Sequence, residues 1–183
     1  MATVSLSLDE IYKLANKTLL ANGCDQETAD ILSELITNAE RDGSLSHGLF
    51  RLPSYVSGLK SGKINGKQKP NIKKLTPSVI KADGKNCLAP VALNKSIPEL
   101  VKAAKENGVA VLAIINSHHM AAMWPETEKI AEEGLVAFAC TSYKPAVAPA
   151  GAIKPLFGTN PISFAWPRKN NMPVVYDLSL IHI

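Results

Sequence analysis

The strongest constraint on the fold lies in the middle of the chain. Ala89 to Glu106 keeps a helical apolar period and is closed by Asn107-Gly108, and the residues that follow, "VAVLAII" (Val109–Ile115), are apolar without a break. A run that short and that apolar suits a buried strand. Pro125 is then placed for the first turn of a helix ending at Gly134, and a second strand of the same kind, "LVAFACTS" (Leu135–Ser142), follows at once. Helix, strand, helix, strand in that order predicts an α/β layer with crossover connections. Two shorter strands, "ISFAWP" and "PVVYD", end the readable chain.

The part before this layer reads differently. Ser7 with Glu10 is a capping-box signature, and Leu8, Ile11, Leu14, Ala15 and Leu19 recur at helical spacing until Gly23. Asp25 is a cap for a second helix with an apolar face of Ala29, Leu32, Leu35, Ile36 and Ala39. That helix runs into "RDGSLSHGLFRLPSYV" (Arg41–Val56), after which Leu49, Leu52, Val56 and Leu59 predict a third helix carrying Arg51, with Pro53 restricting its first turn. Lys60 to Lys74 is rich in Gly and Lys and has no apolar period, which marks it as a boundary. The expected organisation is therefore a helical segment and linker over 1–74 and an α/β domain over 75–177.

Composition excludes several classes. The 183 residues are 46% hydrophobic and 20% charged, as in a globular protein, and the net charge of +4 is small. The main lysine cluster, Leu59 to Lys74, has no interleaved aromatics to stack on bases, so no nucleic-acid partner is expected. Cys24, Cys87 and Cys140 are an odd number at wide spacing, which argues against a disulfide framework and a zinc site and fits a reducing compartment. No window is long and apolar enough to span a membrane, and the N-terminus has no signal-peptide pattern, so a cytoplasmic location without membrane contact is expected.

Three polar loops follow regular elements. In the first, Ser46-His47 offers an imidazole that exchanges a proton near neutral pH beside a hydroxyl that holds its tautomer. Arg51, one helical turn further on, has a planar fork suited to a carboxylate. The same spacing also fits a plain polar helix start. The second loop, "NSHHMAAMWPE" (Asn116–Glu126), leaves the C-terminal end of a strand, where open α/β sheets bind ligands. Its adjacent His118 and His119 diverge and have no partner at helical spacing, which speaks against a metal. The third, "FGTNPISF" (Phe157–Phe164), has strong turn chemistry and a Thr159 hydroxyl for a substrate oxygen. No glycine-rich nucleotide fingerprint, nucleophile elbow or zincin motif is present.

Together and in this order the blocks "RDGSLSHGLFRLPSYV", "IINSHHMAAMWPETEKIAEEGLVAF", "VAPAGAIKPLFGTNPISFAWP" and "VVYD" closely resemble the malate/L-lactate dehydrogenase family of the second type, which is unrelated to Rossmann lactate dehydrogenases. "SHHMAAMWPE" and "KPLFGTNPI" look most like the Δ1-piperideine-2-carboxylate/Δ1-pyrroline-2-carboxylate reductases within it. The resemblance implies a dimeric, non-Rossmann α/β enzyme that moves a hydride between NADPH, or NADH, and a carbon next to a carboxylate, on a small imino or keto acid. By the same resemblance His47 matches the general acid, Ser46 its relay partner and Arg51 the carboxylate anchor. Thr159 matches a substrate contact, and His119, Met120, Ala121, Ala122 and Met123 match a cofactor-binding loop. Ser142 and Asp177 fall where family members contact the nicotinamide nucleotide, and His118 aligns with a histidine given a catalytic role in a ureidoglycolate-oxidising relative.

Family members are about twice this long, and the resemblance assigns their second half a relay aspartate and part of the cofactor and dimer surfaces. The ending "LSLIHI" (Leu178–Ile183) departs from the family pattern and resembles a translated sequencing adapter, so 178–183 is expected to be a non-native tail. The α/β domain is accordingly expected to be incomplete at its C-terminus, with strand edges left exposed, and the chain by itself to be an inactive fragment. The alternatives to a cyclic-imine reductase are a 2-keto acid reductase or 2-hydroxy acid dehydrogenase and, from another class, an inactive ligand-binding fragment.

Overall fold

A computed structural model describes residues 4–118 and 121–179. The chain divides into two compact units, Met1–Ala121 and Ala122–Ile183.

The first unit begins with α1 (Leu8–Ala21), α2 (Gln26–Arg41) and α3 (Leu52–Lys60). The capping box at α1 forms as expected: Ser7 Oγ accepts from Glu10 N at 3.3 Å, and Glu10 Oε2 accepts from Ser7 N at 2.8 Å. Asp25 caps α2, accepting from Thr28 N at 2.9 Å. The apolar stripes meet in one core of Ile11, Ala15 and Leu19 from α1, Ala29, Leu32 and Ile36 from α2, and Leu52 and Tyr55 from α3. Full burial of one such Leu or Ile contributes about 1.5–3 kcal/mol, which makes this core the fixed base for whatever the α2–α3 connection carries.

Beyond the helices come β1 (Asn71–Thr76), β2 (Val79–Leu88), α4 (Ala89–Asn107) and β3 (Val111–His118). Their sheet has the order β1-β2-β3, antiparallel between β1 and β2 and parallel between β2 and β3, so α4 is the crossover. Gly108 closes α4 in the left-handed conformation at φ 79°. The expected boundary at Lys60–Lys74 lies inside this unit. Ile64 is buried, Asp25 N donates to Gly66 O at 3.1 Å, and Lys69 pairs with Asp25 at 2.9 Å and Glu27 at 2.7 Å. An aperiodic stretch can thus be fastened by single anchors that no period reveals.

The second unit holds α5 (Trp124–Glu132), β4 (Ala137–Cys140), β5 (Ile162–Arg168) and β6 (Asn171–Leu178). These strands form a separate antiparallel sheet in the order β4-β5-β6, with α5 packed on all three. Two expectations need correcting. Only the β2-α4-β3 connection crosses over within one sheet, because β4 pairs with β5 and not with β3. Nor are the two apolar runs buried on both faces: Val111 is 55% and Phe138 63% exposed, each on a strand at the edge of its sheet. No helix among the described residues is long and apolar enough to cross a membrane.

Candidate active site

The α2–α3 connection is built from two 3-10 turns, Leu45–His47 and Leu49–Arg51. Gly43 adopts the left-handed conformation at φ 75°, which lets Ser44 N donate back to Ala39 O at 2.8 Å and turns the chain sharply off α2. Ser44 O then accepts from His47 N at 2.8 Å, and Gly48 O from Arg51 N at 2.9 Å. Glu40, on the last turn of α2, accepts from Leu49 N at 2.7 Å and so clamps the second turn to the first helix. Gly48 is required by that clamp, since a Cβ there would stand 2.1 Å from Glu40 Oε1. Arg51 therefore precedes α3 as its N-terminal flank and is not carried within it; the 3-10 geometry consumes the residues that apolar spacing had given to the helix.

This turn brings three predicted residues together. Ser46 Oγ lies 3.0 Å from His47 Nδ1, and Arg51 Nε donates to Ser46 O at 2.7 Å. A second hydroxyl, Ser44 Oγ, lies 3.3 Å from the same ring nitrogen. Half-buried His47 is thus oriented from two sides, and Arg51 is tied to the backbone of its neighbour. Tyr55 of α3 is fully buried, and burial pushes its phenol well above the ordinary range.

His118 ends β3 in the same unit, opposite Leu88 and half-exposed. The strand end is set by a bulge in β2 between Asp83 and Cys87, where Lys85 and Asn86 are left-handed at φ 46° and 69°. Asn116, itself at φ 51°, donates to Asp83 Oδ1 at 3.1 Å, and Lys85 N does the same at 3.1 Å. The Asn116 bond, then that of Lys85, holds the Asp83 carboxyl below its usual range.

His119 and Met120 of the expected cofactor loop lie outside the described residues. Ala121, Ala122 and Met123 are buried, so the small side chains of the two alanines face packing rather than an open floor. In the second unit Asp177 Oδ2 accepts from Met123 N at 2.7 Å and from Trp124 N at 3.1 Å. A carboxylate from β6 therefore caps α5. This bears directly on a dinucleotide, because a helix start after a strand is the usual seat of a pyrophosphate, and here those amides are already taken. Among the described residues, Met123 N and Trp124 N are therefore not open to a phosphate as the amides of a Rossmann turn are. Both bonds fall on one oxygen of Asp177, and Ser142 is exposed just beyond β4.

Thr159 sits on a stretch fastened to the segment that follows Ser142. Val147 and Phe157 form an isolated bridge, Tyr143 N donates to Asn160 Oδ1 at 3.1 Å, and Thr141 N donates to Pro161 O at 3.3 Å. Gly158 passes so close that a Cβ would meet Tyr143 O at 2.1 Å. Ser142 and Thr159 thus belong to one doubled loop. Sequence reasoning missed Ser44, Glu40 and the anchoring role of Asn160. Ser44 was visible as the first hydroxyl of "SLSH", whereas Glu40 gave no signal, being nine positions from its partner.

The sequence profile described as malate/L-lactate dehydrogenase matches residues 6–181. The chain belongs to this family. Among relatives in the family, it is 42% identical over 177 residues to a Δ1-pyrroline-2-carboxylate/Δ1-piperideine-2-carboxylate reductase of Pseudomonas syringae pv. tomato, covering 97% of this chain and 52% of that protein. It is 39% identical over 175 residues to a (2R)-3-sulfolactate dehydrogenase (NADP+) of Chromohalobacter salexigens, covering 96% and 52%. The crystal structure of Δ1-piperideine-2-carboxylate reductase from Pseudomonas syringae pv. tomato superposes with a TM-score of 0.90 at 42% identity, over 97% of this chain and 53% of that one. The chain spans about half the length of the malate/L-lactate dehydrogenase family members it matches. The family match also runs into the 178–183 segment, and Leu178, the last residue of β6, pairs with Ile162 of β5.

Proposed function

We propose that this chain carries the proton donor and carboxylate anchor of an NADPH-dependent reductase of cyclic imino acids such as Δ1-piperideine-2-carboxylate. The observation that carries the reading is the Arg51–Ser46–His47 arrangement: an acid and a cation locked on one turn, with Nδ1 of the acid committed to hydroxyls. When bound, the nicotinamide cofactor supplies the hydride. His47, held through Nδ1, delivers a proton from Nε2 to the substrate nitrogen, a role worth about 100- to 10,000-fold in rate. Arg51 spends Nε on Ser46 and presents its Nη1/Nη2 edge to the carboxylate, fixing which carbon faces the donor. Thr159 contacts the substrate, Ser142 and Asp177 the nicotinamide nucleotide, and the loop from His119 to Met123 the rest of the cofactor. His118 stands at the strand end beside that loop as a second candidate acid.

The same residues serve reduction of a keto acid, with the proton going to oxygen, and the similarity to a sulfolactate dehydrogenase favours keeping that as the second reading. Three free cysteines support a reducing, cytoplasmic setting, and we infer a homodimer at full length. The deciding experiment joins this chain to the second half of the Pseudomonas syringae reductase and follows NADPH and NADH oxidation with Δ1-piperideine-2-carboxylate, Δ1-pyrroline-2-carboxylate, pyruvate and oxaloacetate. Preference for the imino acids is expected; preference for the keto acids would reject the first reading. In that chimera His47→Ala should abolish turnover with NADPH binding retained, while Arg51→Lys should raise KM for the acid roughly tenfold, about 1.4 kcal/mol. Normal activity in His47→Ala would reject the acid role. The 183-residue chain alone should oxidise no NADPH.

A further inference from the structure

The ring nitrogen Nδ1 of His47 has two hydroxyl neighbours, and the second one, Ser44 Oγ at 3.3 Å, is absent from the roles assigned above. The two serines differ in setting. Ser46 is exposed and adjacent to the histidine, while Ser44 is half-buried and fastened through both of its backbone groups, Ser44 N donating to Ala39 O and Ser44 O accepting from His47 N, each at 2.8 Å. A hydroxyl on so firm a backbone fixes a direction; a hydroxyl on an exposed neighbour can rotate and exchange with water. A neutral imidazole has one lone pair at Nδ1 and accepts one O–H there, whereas a protonated Nδ1 donates and is served by two oxygens at once.

We propose that Ser44 is a positioning residue of the reaction: anchored to the end of α2, its hydroxyl holds the His47 ring so that Nε2 carries the exchangeable proton, and Ser46 acts as the solvent-facing relay. The inference rests on reading His47 as the proton donor. It divides between two serines a role that the resemblance gives to Ser46 alone. No bond forms or breaks at Ser44; its effect passes through ring orientation and tautomer.

The test uses the 183-residue chain labelled with 15N at histidine, and reads the Nδ1 and Nε2 shifts of His47 across a pH titration. In the parent chain the neutral ring should be held in the Nε2–H tautomer, and Ser44 Hβ should show a cross-peak to His47 Hε1. Ser44→Ala should move the tautomer ratio toward that of a histidine in an unfolded peptide, Ser44→Thr should restore it, and Ser46→Ala should leave most of it in place. A Ser44→Ala chain with intact amide dispersion and an unchanged ratio would overturn the assignment. Should Ser44→Ala not fold, the parent spectrum decides, since absence of the Ser44–His47 cross-peak refutes the contact by itself. These readouts need no turnover, so a failed reductase assay would leave them standing, and an active chimera with an unmoved tautomer would sink Ser44 alone.

Discussion

Replacing Gly48 by Ala isolates what holds the His47 turn in place. Whatever the backbone at Gly48, with φ −84° and ψ −136°, costs an alanine is the same with or without Glu40, so a double-mutant cycle cancels it and leaves the cost of the space around the residue. The added Cβ would stand 2.1 Å from Glu40 Oε1, the atom that accepts from Leu49 N. Glu40 is long enough to swing away, and the clash then converts into the loss of one charge-assisted hydrogen bond, about 1.5–3 kcal/mol. Alanine returns about 0.4–1 kcal/mol by restricting the unfolded chain. These two effects alone leave a loss of about 1–2 kcal/mol, or roughly 2–8 °C in Tm for a chain of this size. The decisive measurement is a double-mutant cycle, read by helical circular dichroism during urea unfolding. In a Glu40→Ala background the clash and the bond are both gone, so Gly48→Ala should cost less there by a coupling of about 1.5–3 kcal/mol. Equal cost in both backgrounds would refute the reasoning, because the glycine would then be needed for something other than room for Glu40.

Asp177→Ala should remove the cap of α5 and lower the stability of the second unit by about 0.5–2 kcal/mol; both tryptophans, Trp124 and Trp166, report on that unit, and an unchanged urea midpoint in their fluorescence would contradict the cap. Acid sensitivity should track Lys69. Its hydrogen bond, and then that of Lys95, holds the Glu27 carboxyl below its usual range. With the folded value below the unfolded one of about 4.3, the stabilisation is full above that pH and is lost as pH falls through the folded value. Lys69→Met should flatten the decline in stability between about pH 5 and 2, and parallel pH profiles would disprove the linkage.

The parts that could be read in advance share one property: their determinants are close in sequence. Ser7 with Glu10, Asp25 with Thr28, and Gly108 after α4 are all resolved within a single turn of chain. Likewise Ser46, His47 and Arg51 meet because one connection holds all three. Strands β1 and β2 escaped notice for physical reasons. An edge strand carrying Lys73 and Lys74 buries no alternate face, and the alternation of Ile80 and Ala82 in β2 is cut off by the bulge at Lys85-Asn86. The apolar runs misled in the opposite direction, since "VAVLAII" and "LVAFACTS" carry the composition of central strands but occupy edges. Asp177 could not have been recognised as a helix cap, because a partner 54 positions away leaves no local pattern.

That distance has a meaning in time as well as in space. A ribosome adding about 5–20 residues each second reaches Asp177 roughly 3–11 s after it has made Met123, 54 positions earlier. During that interval the start of α5 has no carboxylate on its amides, and β6, which delivers it, has not yet paired with β5. The caps of α1 and α2 and the Glu40 clamp are supplied within the first unit, Met1–Ala121, so none of these three waits for later synthesis. The turn bearing His47 is therefore set early, whereas α5 becomes fixed only when the last strand arrives, so an interrupted translation would yield a chain with the His47 turn placed and the second unit unfinished.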